Sequence, residues 1–223
     1  MNFLILLMAI MGLSGLTMAA LAIGYRTPAG ERWRVRPDQG RRLGGKGYVV
    51  RTALNAPLSF GLVLLFVAVF YDGLFYEAAP AWWRFALEAV AVLVVYDFLY
   101  YFLHRYPFHQ WKMLKRVHAV HHRAKQPTAV DSLFLHPVEN FLGLALLTFC
   151  TWLVGPVHLY SFAAAFLVYS QANVIVHGGL DFPRPLRFLG FMAKKHDRHH
   201  QSMRAGNYAS ITPLPDILFG TAE

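Results

Sequence analysis

Residues 3–23 form an uninterrupted apolar, uncharged run, the first of five along the chain. The second is 53–71, "ALNAPLSFGLVLLFVAVFY", and the third, 85–103, is broken only by Glu88 and Asp97. The fourth and fifth, roughly 138–154 and 159–177, are joined by Gly155-Pro156, a tight-turn signal. A helix needs about 20 apolar residues to cross the hydrocarbon core of a bilayer. The pattern therefore predicts a helical bundle of four to five spans. The first run lacks a positive leading segment and is long for a signal peptide, so it reads as a retained anchor.

Composition agrees. Of the 223 residues, 56% are hydrophobic and 15% charged, against about 45–50% and about 25% in ordinary soluble domains. The single cysteine, Cys150, excludes an internal disulfide and a cysteine-built zinc or iron–sulfur centre within one chain. A net charge of +9 raises nucleic acid as a partner, but the distribution of the charge argues against it. Eight of the 21 lysines and arginines fall in 24–52, six in 104–137 and six in 178–223, leaving only Arg84 elsewhere. Basic loops stay in the cytoplasm. The pattern thus expects the N-terminus outside, the three basic segments inside and no nucleic-acid footprint.

This topology sets ten of the eleven histidines on one side of the membrane. His158, in the outer turn, is the exception and is expected to be an ordinary surface residue. His118-Ala-Val-His121-His122 and His196-Asp-Arg-His199-His200 repeat one spacing, H-x-x-H-H. Helical positions i, i+3 and i+4 share a face, so each motif is expected to offer three imidazoles to one pocket. Neutral imidazole is a strong ligand for first-row metals, and a dication nearby keeps it unprotonated. His104 and His109 flank Pro107, which is expected to break the helix and turn His109 back towards His104. Histidines among basic residues also suit a headgroup surface. The duplicated spacing, with His104 and His177 at span ends, favours a metal site, and nine histidines exceed what one ion needs.

Asp97, costly inside a span, lies two helical turns before His104 and is expected to accept the ring N–H of a liganding histidine. Glu88 reads as the partner of Arg84, and Glu139 as the partner of an arginine or a ligand histidine. The aromatic run Tyr96 to Phe102 and the pair Trp82-Trp83 read as core packing and interface belt.

From Asp97 to Thr221 the chain resembles the fatty acid hydroxylase/sterol desaturase superfamily of integral-membrane oxygenases. "DFLYYFLHRYPFH", "HAVHH", "LHPVEN", "NVIVH", "HDRHH" and "NY…LPDILFGT" occur in order, whereas residues 1–90 match only as apolar spans. The resemblance implies an all-α polytopic bundle, one domain over 1–223, with a cytosolic histidine-rich helical cap. It implies two irons held by His104, His109, His118, His121, His122, His177, His196, His199 and His200, with zinc able to replace iron in purified protein. Asn173 stands where some members carry a further ligand histidine. His136 looks like a family signature outside the ligand set. With Asp97, these two are expected to serve the reaction without being full ligands.

The chemistry so implied is O2-dependent hydroxylation or desaturation of a lipid C–H bond, on a fatty acyl or sterol-like substrate. Electrons must come from a separate reductase, ferredoxin or cytochrome on the cytosolic face, since no flavin or nicotinamide glycine fingerprint is present. A bacterial inner membrane suits the chain better than endoplasmic reticulum. The rival reading, a histidine-rich metal transporter or sensor, needs ligating groups along a path through the spans.

Overall fold

Five long helices carry the chain back and forth, and each coincides with one of the apolar runs. The computed structural model describes residues 3–40 and 43–223, so Arg41 and Arg42 of the basic loop lie outside the described residues. The first long helix, α1, is Phe3–Arg26, followed by the single turn α2 (Pro28–Glu31), which Thr27 caps. Next come α3 (Lys46–Leu74) and α4 (Trp82–Leu103), then the short α5 (Lys112–His118). Helices α6 (Pro137–Val154) and α7 (Leu159–Val176) complete the spans. Beyond them lie α8 (Arg187–Gln201) and the short α9 (Leu214–Leu218). Helices α1, α3, α6 and α7 and the stretch Trp82–Phe108 are long and apolar enough to cross a membrane.

Helix α4 lies between α6 and α7, α3 packs on α6, and α1 packs on α7. Val63 and Phe66 of α3, Val92 and Tyr96 of α4, Leu147 of α6 and Phe162 and Phe166 of α7 are buried in one core. Leu16, Val69, Leu87, Val90 and Trp152 point outward and stay exposed. Apolar side chains all round a helix suit a lipid-facing span, where burial is optional on the outside.

At the end away from the histidines, two-residue strands β1 (Phe75–Tyr76) and β2 (Val157–His158) pair in parallel. Gly155 closes α6 at φ 99°, a conformation open to glycine at little cost, and Pro156 follows it. His158 is not a plain surface residue: its Nδ1 accepts from the Tyr160 N–H and caps α7. Glu88, buried on α4, gathers four donors here. They are the Tyr76 hydroxyl (2.6 Å), Arg84 Nε (2.9 Å), the His158 N–H (2.9 Å) and the Ser161 hydroxyl (2.8 Å).

At the histidine end, the segment after α1 folds back as a strap. Val35 N–H donates to Gly179 O, Asp181 N–H to Trp33 O, and Arg36 reaches Asp197 and Lys125 O. Gly179 must be glycine: its φ is 64°, and a Cβ would lie 2.9 Å from Pro127 O.

The candidate metal centre

The helix begun by α4 ends at Phe108, directly after Pro107, but not as a regular α-helix. It widens into a π-helical turn over His104–Phe108, the wider i→i+5 winding that accommodates an irregularity. Residues five apart then come round to one side, and the His104 and His109 rings stand 5.0 Å apart. Helix α5 delivers His118 as its last residue. A turn intervenes before a short 3-10 segment carries His121 and His122. His177 ends α7, and α8 carries His196, His199 and His200.

The nine histidines form two sets, and neither H-x-x-H-H motif stays whole. His104, His109, His118, His122 and His199 make one set; His121, His177, His196 and His200 make the other. Each motif is thus shared, against the expectation of one face per motif. In α8, His199 joins one set while His196 and His200, on the same face of the helix, join the other. The sets adjoin: the His122 and His200 rings stack with centroids 4.8 Å apart.

In the first set, four Nε2 atoms close a ring, with His104–His118 at 2.9 Å and His118–His122, His122–His199 and His199–His104 at 3.0 Å. The His104–His118 and His199–His104 contacts are not ordinary hydrogen bonds. His104 Nδ1 lies 2.7 Å from Tyr208 O, His199 Nδ1 2.6 Å from Gly206 O and His109 Nδ1 2.9 Å from Met203 O. A carbonyl only accepts, so each of these rings carries its proton on Nδ1 and presents a bare lone pair at Nε2. His118 does the same through Glu139 Oε1 at 2.7 Å. His109 Nε2 is buried with no hydrogen-bond partner among the described residues. Lone pairs converging on one point repel unless a cation lies between them. Nitrogens at right angles on an ion, each at ~2.1 Å, stand ~3.0 Å apart; the spacing here fits.

The second set repeats the pattern as an open chain: His121–His177 at 3.0 Å, His177–His196 at 2.9 Å and His196–His200 at 3.0 Å. The Nδ1 atoms of His121, His177 and His200 face Phe134 O, Asn173 O and Ala124 O. Burial depresses the basicity of these rings. It takes His109, His118 and His177 down to about 3 and lowers His121, His122, His196, His199 and His200 as well. The neutral ring is the form a metal ion would need, and burial favours it here.

Asp97 does not touch a histidine. Its carboxylate accepts the backbone N–H groups of Ser210, Ile211 and Thr212 and the Thr212 hydroxyl, at 2.7–3.1 Å. Asp216 does likewise for Tyr208 and Ala209 N–H and the Thr221 hydroxyl, and pairs with Lys195 at 2.7 Å. The two acids fix the tail that supplies the carbonyls of Met203, Gly206 and Tyr208 to three imidazoles. Asn173 contributes its backbone carbonyl to His177 and borders the cavity. His136 sits at the N-terminus of α6, where its Nδ1 accepts the Val138 N–H, and no hydrogen bond among the described residues joins it to either set. Sequence reasoning missed the carbonyls, which leave no side-chain signal.

A cavity of about 210 Å³ extends from the histidines into the bundle. Both sets border it, through His104 and His118 on one side and His121, His177 and His196 on the other. Met11, Ser14, Tyr96, Phe166 and Tyr169 line its part between the spans.

Fold and site together define a multi-pass membrane protein with two adjoining, all-imidazole candidate metal sites at the foot of an apolar cavity. The chain belongs to the fatty acid hydroxylase family, whose model matches residues 89–221. It is 31% identical over 156 residues to methylsterol monooxygenase 1 of Rattus norvegicus, covering 66% of this chain and 50% of that protein. It is 34% identical over 148 residues to the very-long-chain aldehyde decarbonylase GL1-11 of Oryza sativa subsp. indica, covering 64% and 54%. Methylsterol monooxygenase 2-2 of Arabidopsis thaliana is 31% identical over 175 residues, covering 76% and 64%. The chain spans about half the length of the first two. No solved structure shows a significant match.

Proposed function

We propose that the chain is an O2-dependent membrane oxidoreductase that hydroxylates or desaturates a C–H bond of a lipid, fatty acyl or sterol-like. One observation carries this reading: bare Nε2 lone pairs of two neighbouring imidazole sets converge where an apolar cavity between membrane helices ends. Two irons are the proposed ions, one in each set. When bound, they supply the oxygen-activating redox chemistry that no amino-acid side chain can supply. The names of the relatives, a methylsterol monooxygenase and a very-long-chain aldehyde decarbonylase, support a lipid substrate.

The chain's own groups do the rest. Glu139 and the tail carbonyls hold each Nδ1 proton and so aim the opposite nitrogen. The walls between the spans exclude water and present one stretch of hydrocarbon to the histidines. The histidine face is basic, with Lys112, Lys115, Arg116 and Lys194 exposed. It is the proposed cytosolic docking side for an electron-donating reductase, ferredoxin or cytochrome in a bacterial inner membrane. A transporter reading lacks a ligating path: among the described residues, the buried span acids Asp97 and Glu88 are engaged with backbone and side-chain donors and Glu139 with the His118 imidazole.

The test pairs two His→Ala proteins. Purified wild type should carry about two metals per chain, with zinc displacing iron on overexpression because it binds imidazole more tightly. His199→Ala should lose metal and lose the oxidised lipid seen by mass spectrometry of cells carrying the wild type. His158→Ala, at the far end of the bundle, should keep both. Equal product from the two would overturn the reading.

A further inference from the structure

The tail from Asn207 to Thr221 follows the last span and counts by charge with a basic, water-facing segment. Its contacts place it elsewhere. Asp97 lies seven residues before His104 in a continuous helix, ~10 Å deeper into the span at 1.5 Å per residue. Yet its carboxylate holds the backbone of Ser210, Ile211 and Thr212. From there the chain runs back along α4: Phe219 stacks on Tyr101 at 5.0 Å and meets Phe102 at 5.1 Å. The Tyr101 and Thr221 hydroxyls are hydrogen-bonded to each other. Helix α9 is thus laid against α4 between the levels of residues 97 and 102, inside a stretch that is apolar enough to span a membrane.

The surface of the segment suits that depth. Leu214, Ile217, Leu218 and Phe219 are 46%, 59%, 60% and 42% exposed, and they extend the outward face of α4 at Phe102. The one charged residue from 207 to 221, Asp216, is fully buried and paired with Lys195. Irregular backbone survives at membrane depth only where its polar groups are satisfied inside the protein; Asp97 and Asp216 provide this for five N–H groups.

We infer that residues 207–221 form a re-entrant element seated in the bilayer leaflet on the histidine side, with α9 in contact with lipid acyl chains. Its opposite face, Tyr208 to Ile211, borders the cavity. The element is therefore the partition between acyl chains and candidate metal centre along α4. The intramembrane acid Asp97 has its explanation here: it satisfies the backbone of a segment that enters the leaflet without crossing it. The inference depends on the spans, and stands whatever reaction the histidines support.

The experiment uses the full chain in phosphatidylcholine vesicles. Ile217→Cys and Leu218→Cys carry a bimane probe, as does Met113→Cys on α5, 75% exposed; buried Cys150 is replaced by alanine in all three, and each must elute as wild type on gel filtration. Lipids brominated in mid-chain should quench the probes at 217 and 218, which aqueous iodide should leave bright. The probe at 113 should behave in the opposite way. Quenching of 217 and 218 by iodide and not by brominated lipid would place α9 in water and overturn the proposal. Quenching by neither would mean that protein covers the patch, and would overturn it equally.

Discussion

The imidazole of His118 donates its Nδ1–H to Glu139 Oε1 at 2.7 Å, so an acid in the first turn of one span sets the tautomer of a histidine on another element. Burial keeps His118 neutral, and the contact is a hydrogen bond rather than an ion pair. Carboxylate-to-imidazole bonds of this kind hold metal ligands in place and raise their basicity.

Glu139→Ala should weaken metal binding by about 10–100-fold, the usual effect of losing an orienting partner. Glu139→Gln keeps an acceptor for Nδ1–H and should retain most of the affinity. Competition against a chelator measures both; equal affinity in wild type and the alanine variant would refute the role.

The interleaving of the motifs makes a sharper prediction. His118→Ala and His121→Ala alter residues three apart in one motif but in different sets. Each should reduce metal content from about two ions per chain to about one, and the double variant should hold almost none. Loss of both ions from either single variant would contradict two separable sets.

Acid should unfold the metal-free protein for a stated reason. His109, His118 and His177 titrate at about 3 when folded, against an ordinary 6.5. Below pH 6.5 the unfolded chain binds protons that the folded chain refuses, so stability falls as pH drops from 6.5 towards 3. Each group contributes up to about 1.4 kcal/mol per pH unit in that window. Thermal melts of apoprotein in detergent should be flat from pH 8 to 7 and fall steeply below 6.

Asp97→Ala leaves three backbone N–H groups and the Thr212 hydroxyl without their acceptor. A buried donor so stranded costs about 1–3 kcal/mol. The tail should become open to protease near residues 207–212 and the first histidine set should lose affinity, while Asp97→Asn should suffer less. Limited proteolysis followed by mass spectrometry reads the site of cutting.

The spans were legible because an apolar run of membrane length has few other uses. The nine histidines were legible because their spacing recurs and their segments share one side. Their division was not: i, i+3, i+4 spacing presumes a helix, and the turn between His118 and His121 is set by tertiary contacts. Pro107 does precede the end of the helix at Phe108, and His109 does come round to His104, but through a π-helical turn that the spacing does not announce. Asp97 could be flagged as an expensive charge, but its partners are peptide N–H groups over a hundred residues away, which carry no residue identity.

Glu88 and its four donors tie α4, α7 and both short strands together at one end of the bundle. At the other end bare imidazole lone pairs face one another and push apart unless a cation lies between them, although Asp97 and Asp216 hold the tail beside them. With an ion in each set the bundle would work like tweezers, with a riveted heel and jaws that the ions draw shut. Removing the ions should loosen the jaws and leave the heel fast. Hydrogen exchange should then quicken around His118 and His199 while the amides near Tyr76 and His158 stay protected.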